Sequence, residues 1–314
     1  MYRYVLYRLL WTVIVVVAVA FVIFTILYFC PGDPALYKLG NNATQADIDY
    51  LNHMWGLDEP YLVQLFDFMY NGLLKLDFGE SWNSGTEIWP ELFSRIPRTL
   101  TINIISLVIN VTLGLFMGIF AGIHGGKWQD SAIMIIAMVF VSLPGFWVAL
   151  MMIILFSVKL GWLPSSGIGT WKHYVMPVLS STLHGIANNS RQTRSAILEV
   201  FREDYITTAR AKGVPERSVI YKHMLPNALM PIVTSLGGAL AHLVAGSAIT
   251  ERIFSIPGVG DYLLTGCSQR DYPVVRATTL FLCLFSTLMM LLTDLVYCAI
   301  DPRIKARYAN RGGK

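Results

Sequence analysis

Leu10–Phe29 contains no charged residue, and an uninterrupted apolar run of about 20 residues is what a helix needs to cross the hydrocarbon core of a bilayer. The run is too long for the apolar part of a cleaved signal sequence, and no small-x-small pair precedes a cleavage point. Tyr28-Phe29-Cys30 also lacks the small residues that precede a lipidated cysteine. The segment is therefore expected to stay as a helix. Composition agrees: only 14% of the 314 residues are charged, against about a quarter in soluble chains.

Further spans are expected at Thr99–Ile123, Ser131–Val158, Tyr174–Ala196, Asn227–Thr250 and Ala277–Ile300. The expected fold class is an all-α membrane protein with six transmembrane helices in contact with the lipid bilayer. The fourth span holds His184, Asn188, Asn189 and Arg191, so it should face protein or an aqueous path rather than lipid. Pro144-Gly145 and Pro231 predict kinks. Most of the 24 Lys and Arg residues fall in the N-terminal arm, the loop at Lys127, the loop after span four and the C-terminal tail. The positive-inside rule then makes both termini cytoplasmic.

The expected organisation is a cytoplasmic N-terminus and first helix at 1–30, an external segment at 31–98, a five-helix core at 99–302 and a basic tail at 303–314. The core carries a cytoplasmic loop at 199–226 and an external loop at 251–276. Segment 31–98 is acidic and rich in aromatic residues, among them Trp55, Tyr61, Phe68 and Trp82, with helical patterning over Ala46–Trp55 and Tyr61–Leu74. That content favours a small folded cap over a disordered loop.

Gly114, Gly118 and Gly122 recur every four residues in span two, and such a stripe lets helix backbones approach closely in lipid. Gly238, Ala241, Ala245 and Ala248 give span five a comparable face. Asp294 stands nearly alone in span six, either as a partner for a polar group on a neighbouring helix or in a transport role. Cys30, Cys267, Cys283 and Cys298 show no CxxC spacing, so no metal site is expected; Cys30 and Cys267 fall on one side and could pair, though reduced apolar packing is the preferred reading.

No catalytic residue is expected. Gly125-Gly126-Lys127 is followed by Trp128, so no phosphate-binding loop is present, and neither HExxH nor GxSxG occurs. An intramembrane protease would need paired ionisable residues in the spans. A secondary transporter would need more spans and an inverted repeat in one chain. Nucleic-acid binding is set aside for want of an aromatic-interleaved basic stripe.

The loop after span four is the most informative stretch. Two short helices are predicted, Glu203–Lys212 and Pro215–His223, separated by a Gly-Val-Pro break. Gly213 reads as the C-terminal cap of the first and Pro215 as the start of the second. A pair this short buries no core alone, so on the face of a membrane bundle it reads as a docking surface.

Thr207-Thr208-Ala209-x-x-x-Gly213, then nine residues, then His223-Met-Leu225-Pro226, resembles the EAA loop of binding-protein-dependent ABC importer permeases. The family pattern is Glu-Ala-Ala-x-x-x-Gly, nine residues, Ile-x-Leu-Pro. Ala209, Gly213, Leu225 and Pro226 keep it, and Thr207, Thr208 and His223 depart from it. The run Asp204-Tyr205 and Thr208-Ala209-Arg210-Ala211-Lys212-Gly213 is similar to the wording of the peptide/nickel subgroup. Pro31–Ala35, Gly56–Pro60, Leu76–Ser81, Phe254–Gly260, Arg270–Val275 and Asp301–Ile304 resemble that subgroup too, and in order. The chain looks like its B-type permease.

The resemblance implies a type I importer bundle in the bacterial cytoplasmic (inner) membrane, forming half of a pathway. It implies a homologous second permease, one or two ABC ATPases that bind ATP and Mg, and an extracytoplasmic substrate-binding protein; no cofactor is implied in this chain. The first short helix would sit in a groove of the ATPase, with Gly213 permitting the turn, Ala209 letting the ATPase surface come close, and Arg210 and Lys212 pairing with its acidic groups. Phe254, Pro257, Gly258, Gly260, Asp271, Tyr272 and Pro273 would form an external mouth that meets the receptor or plugs the path. Di- or oligopeptides are the implied cargo, with nickel or a metal chelate as the alternative.

Overall fold

The computed structural model describes residues 2–40, 42–229, 238–240, 243–244 and 247–300, excluding the side chains of residues 2–5 and 296–300. The described residues form helices and no strand. In chain order these are α1 (Tyr2–Tyr28), α2 (Pro34–Leu39), α3 (Gln45–Met54), α4 (Tyr61–Asp67), α5 (Ile88–Ile123), α6 (Trp128–Ser142) and α7 (Gly145–Met152). They continue as α8 (Lys172–Val200), α9 (Asp204–Ala211), α10 (Glu216–Ser218), α11 (Leu225–Ala228), α12 (Ala248–Ile253), α13 (Val259–Ser268) and α14 (Tyr272–Ile300). Two compact units result, Met1–Thr99 with Pro257–Lys314, and Leu100–Ile256.

In the first unit, α1 packs along α14. Ala20 and Phe24 of α1 are buried with Phe68 and Leu280, and Arg8 Nη2 meets Asp294 Oδ2 at 2.6 Å. Asp294 thus has the polar partner on a neighbouring helix that its place in an apolar span calls for. The segment between α1 and α5 folds as a cap, with α3 closed by a Thr44–Asp47 capping box and α4 running into a π-helical turn at Phe68–Leu74.

Pro31-Gly32-Asp33-Pro34 has a separate physical task at each position. Asp33 caps α2 by accepting from the Ala35 and Leu36 N–H groups at 2.8 and 3.3 Å, and Pro34 supplies a first helical residue that needs no donor. Gly32 has φ +105°, and a Cβ there would lie 2.0 Å from the Arg270 guanidinium. That guanidinium donates to the Pro31 carbonyl. Asp271, buried, gathers residues 81–83: it accepts from Ser81 Oγ at 2.5 Å and from the Trp82 and Asn83 N–H groups at 3.2 and 3.3 Å. Trp82 in turn stacks on Trp55, centroids 4.4 Å apart and planes 7° from parallel.

The second unit is built on close contact between α5 and α8. A Cβ on Gly114 would fall 2.5 Å from Asn189 Cβ, one on Gly118 2.4 Å from Thr193 Cβ, and one on Gly122 2.6 Å from Ile197 Cγ2. Anything larger than hydrogen would force the backbones apart. Across the same helix, Arg194 grips Asp130 of α6 through Nε and Nη2, the latter at 2.7 Å. Asp130 also accepts from the Gly126 N–H at 3.0 Å. Both carboxylate oxygens are therefore bonded inside a buried site, as a buried charge requires.

α1 over Leu6–Tyr28, α5, and α14 over Tyr272–Leu295 are each long and apolar enough to cross a membrane. The expected third span, Ser131–Val158, differs from expectation: α6 and the following Gly145–Lys159 stretch meet at 95°, a break rather than a kink. The cause is local. A residue before proline is disfavoured in the α region, and Leu143 (ψ 127°) and Pro144 (ψ 132°) are both extended. α8 has the length of a span, 29 residues, but is far more polar than α1, α5 and α14. Half of the expected fifth span, with Pro231, Ala241 and Ala245, lies outside the described residues, as does the tail at 303–314. The second helix begins at Ile88 rather than Thr99, because Ile88 and Leu92 are buried against Tyr262, Val274 and Ala277.

Candidate functional site

The loop after α8 turns at residues 201–203 into α9. Glu203 takes the extended N-cap conformation, and Asp204 in the first turn complements the positive end of the helix dipole. α9 ends at Gly213, φ +74°. The Val214 N–H donates to the Ala209 carbonyl at 3.3 Å and the Gly213 N–H to the Arg210 carbonyl at 2.9 Å. This is the paired C-terminal closure that requires a left-handed residue after the helix. Pro215, with ψ 138°, takes the N-cap place just before α10, which runs through a π-helical stretch at Val219–Met224 into α11, whose first residues are Leu225 and Pro226.

One face of the helix pair points inward. Ile206, Ala209, Val219 and Met224 are buried with Ala196 and Ile197 of α8 and Ala228 of α11; Ile119 and Ile123 of α5, Val214 and Leu225 pack around them. The other face carries Tyr205, Thr207, Thr208, Ala211 and Lys212, all exposed, with Tyr221, 68% exposed, beside them. Ala209 is on the inner face, where its small side chain fits the loop against the loop's own core.

Arg210 is also engaged within the chain. Its Nη2 and Nε meet Glu216 at 2.7 and 3.1 Å, and its guanidinium lies 4.2 Å from the Phe201 ring centroid. Arg210 holds the Glu216 carboxyl below its ordinary value, chiefly through this hydrogen bonding. Lys212 has no ion pair among the described residues. Sequence reasoning missed Glu216, although it stands six positions after Arg210 across the turn. It also read Arg194 only as an orientation charge, and a partner 64 positions away leaves no local signal.

The segment expected to form an external mouth is mostly turned inward. Phe254 is buried with Ile102, Met176 and Ile256. Gly258, Gly260, Asp271 and Tyr272 are buried as well, leaving Pro257 and Pro273 partly exposed. Inside the single chain those five residues are packed into the segment itself. Thr99 Oγ1 accepts from the Val259 N–H at 2.9 Å and Arg98 donates to the Pro257 carbonyl at 3.2 Å, fixing the start of α13.

Residues 114–306 match the family described as "Binding-protein-dependent transport system inner membrane component", and residues 1–103 match its N-terminal companion family. The glutathione transport system permease protein GsiC of Salmonella choleraesuis is 37% identical over 305 residues, covering 97% of this chain and 99% of that one. GsiC of Escherichia coli K12 gives the same identity and coverage. Among solved structures, an amino acid ABC transporter crystallised with histidines superposes with a TM-score of 0.52 at 19% identity, over 65% of this chain and 94% of that one. Its contribution is the fold alone. The chain belongs to the inner membrane permease family of binding-protein-dependent ABC importers.

Proposed function

We propose that this permease carries short peptides inward as half of a two-permease pathway, and that α9 to α11 transmit the motion of a separate ABC ATPase to the membrane helices. The observation that carries the second part is the two-sidedness of the helix pair. Its inner face is bolted to the ends of α5 and α8, and its outer face offers Tyr205, Thr208, Ala211, Lys212 and Tyr221. A force applied outside is then delivered to the two helices joined by the Gly114–Gly118–Gly122 stripe. In this reading both termini and the loop are cytoplasmic. A receptor delivers substrate on the opposite face near Pro257 and Pro273, and ATP and Mg sit on the ATPases. The peptide cargo is supported by the relatives named for glutathione, itself a tripeptide.

Gly213→Asp tests the coupling. In proteoliposomes holding the complete importer, the variant should assemble with its partners and lose ATP-driven uptake; wild-type uptake would sink the reading. Competition of unlabelled dipeptide, tripeptide and nickel salt against labelled tripeptide tests the cargo. Displacement by nickel alone would overturn peptides in favour of a metal.

A further inference from the structure

Between α1 and α5, two helices of the cap are patterned in opposite ways. α3 buries Ile48 and, Tyr50 and Met54 aside, turns polar residues outward, among them Gln45, Asp47, Asp49 and His53, as a helix in water does. α4 with its π-helical turn does the reverse. Leu62, Phe66, Tyr70 and Leu74, four apart, form one stripe along it, and all are exposed, Leu62, Phe66 and Leu74 at 72, 68 and 76%. The polar residues lie off this stripe. Gln64 donates to the Leu57 and Glu59 carbonyls at 3.1 and 2.7 Å, and Asp67 and Asn71 border a cavity of the cap. A helix that ties its amide inward and shows leucine and aromatic side chains outward is matched to apolar surroundings.

The stripe starts beside the end of a membrane helix. Tyr61 Oη lies 2.9 Å from Thr25 Oγ1, and its ring stacks on Phe29, centroids 6.1 Å apart. On the inner face, Phe68 is buried and stacks on Phe24 at 5.6 Å. α4 is thereby clamped to the Tyr28 end of α1, a helix long and apolar enough to cross the bilayer. Val22, Ile26 and Phe29 of α1 are exposed at that end, so the stripe continues a surface that already meets lipid. Lys75 closes the stripe, its Nζ 4.6 Å from the Tyr70 ring centroid. A lysine stem laid along apolar surface beside a tyrosine is the arrangement of a membrane interface. Lysine is depleted from protein–protein interfaces.

We propose that α4 and its π-helical turn lie in the membrane interface at the Tyr28 end of α1, with Leu62, Phe66, Tyr70 and Leu74 among the acyl chains of that leaflet and Lys75 at the headgroups. The cap is then two-sided: α3 meets water, and α4 rests the segment on the bilayer. Neither the peptide cargo nor the ATPase contact bears on this placement.

Photocrosslinking tests it. The photoreactive residue p-benzoylphenylalanine is placed singly at Leu62, Phe66, Val22 or Asp49 of the complete importer, reconstituted in vesicles of phosphatidylethanolamine and phosphatidylglycerol. After irradiation, adducts are read by mass spectrometry. All four side chains are exposed, so the probe displaces no core packing. Leu62 and Phe66 should each capture phospholipid at least about tenfold more than Asp49 on α3, and at a level comparable to Val22 on α1. Capture of another polypeptide at either position would make the stripe a protein interface. Phospholipid capture below that margin at either position would place it in water. Each of these two results overturns the proposal.

Discussion

Arg210 and Glu216 face each other across the turn at Gly213, joined by two nitrogen–oxygen contacts of 2.7 and 3.1 Å. The pair ties the end of α9 to the start of α10. Glu216 is exposed at 56% and Arg210 partly so at 31%, so the pair contributes about 0–1 kcal/mol to stability. Its effect is local stiffness.

The Glu216 carboxyl is held below its ordinary value, so its contribution is complete above the unfolded-state value and disappears as pH falls through the lowered one. Amide exchange in residues 210–218, corrected for intrinsic rates, should therefore accelerate on acidification below the usual glutamate range. Glu216→Gln should exchange at the faster level throughout, with no step. A step persisting in that variant would assign it to another group.

Removing one partner of a buried ion pair leaves an uncompensated charge, at a cost of about 3–5 kcal/mol. Arg194→Met, which strands Asp130 in a site where its side chain is 3% exposed, should lower the melting temperature of the purified protein sharply. The double variant Arg194→Met with Asp130→Leu should recover most of the loss. A double variant as unstable as the single one would show that shape, not charge, sets the cost.

At Gly118 an added methyl would press 2.4 Å from Thr193 Cβ and 2.7 Å from the Ser190 carbonyl. Backbone cannot yield as a side-chain tip can, so Gly118→Ala should cost about 1–3 kcal/mol, the range for overpacking. Gly145, first in α7, has no atom within 4 Å of such a methyl. Gly145→Ala should be close to neutral in the same melting experiment.

Ser255 has φ +50°. It closes α12 as Gly213 closes α9, with the Ile256 N–H donating to the Glu251 carbonyl at 2.9 Å. A left-handed conformation costs an L-residue roughly 1–2 kcal/mol, and serine bears it where glycine would not. Ser255→Gly should stabilise by up to about 1 kcal/mol, once the extra backbone entropy of glycine is subtracted, and Ser255→Val should destabilise. A melting temperature unmoved by either change would refute the strain.

Where the sequence was legible, the signal was local. Gly213 and Pro215 mark α9 and α10 because caps are written in the residues that form them. The patterning at Ala46–Trp55 and Tyr61–Leu74 reappears as α3 and as α4 with its π-helical turn. Gly114, Gly118 and Gly122 announced a close approach, though not that α8 supplies the facing surface. What could not be read is long-range. Asp271 meets residue 81 across 190 positions, and periodicity alone does not say which face a short helix such as α9 buries. The extent of the break at Pro144 was hidden too, since proline signals both mild kinks and full breaks.

α8 raises a matter of biogenesis. It carries His184, Asn188, Asn189 and Arg191, and its buried positions include Ser180, Thr182, Ser190 and Thr193. A segment of that kind partitions poorly into lipid on its own. The glycine stripe of α5 and the Asp130 carboxylate of α6 give it partners made earlier in the same chain. Insertion of α8 during synthesis must then be assisted by those two helices, so that a defect at Gly118 or Asp130 is expressed first as a failure of topology, before any question of transport arises.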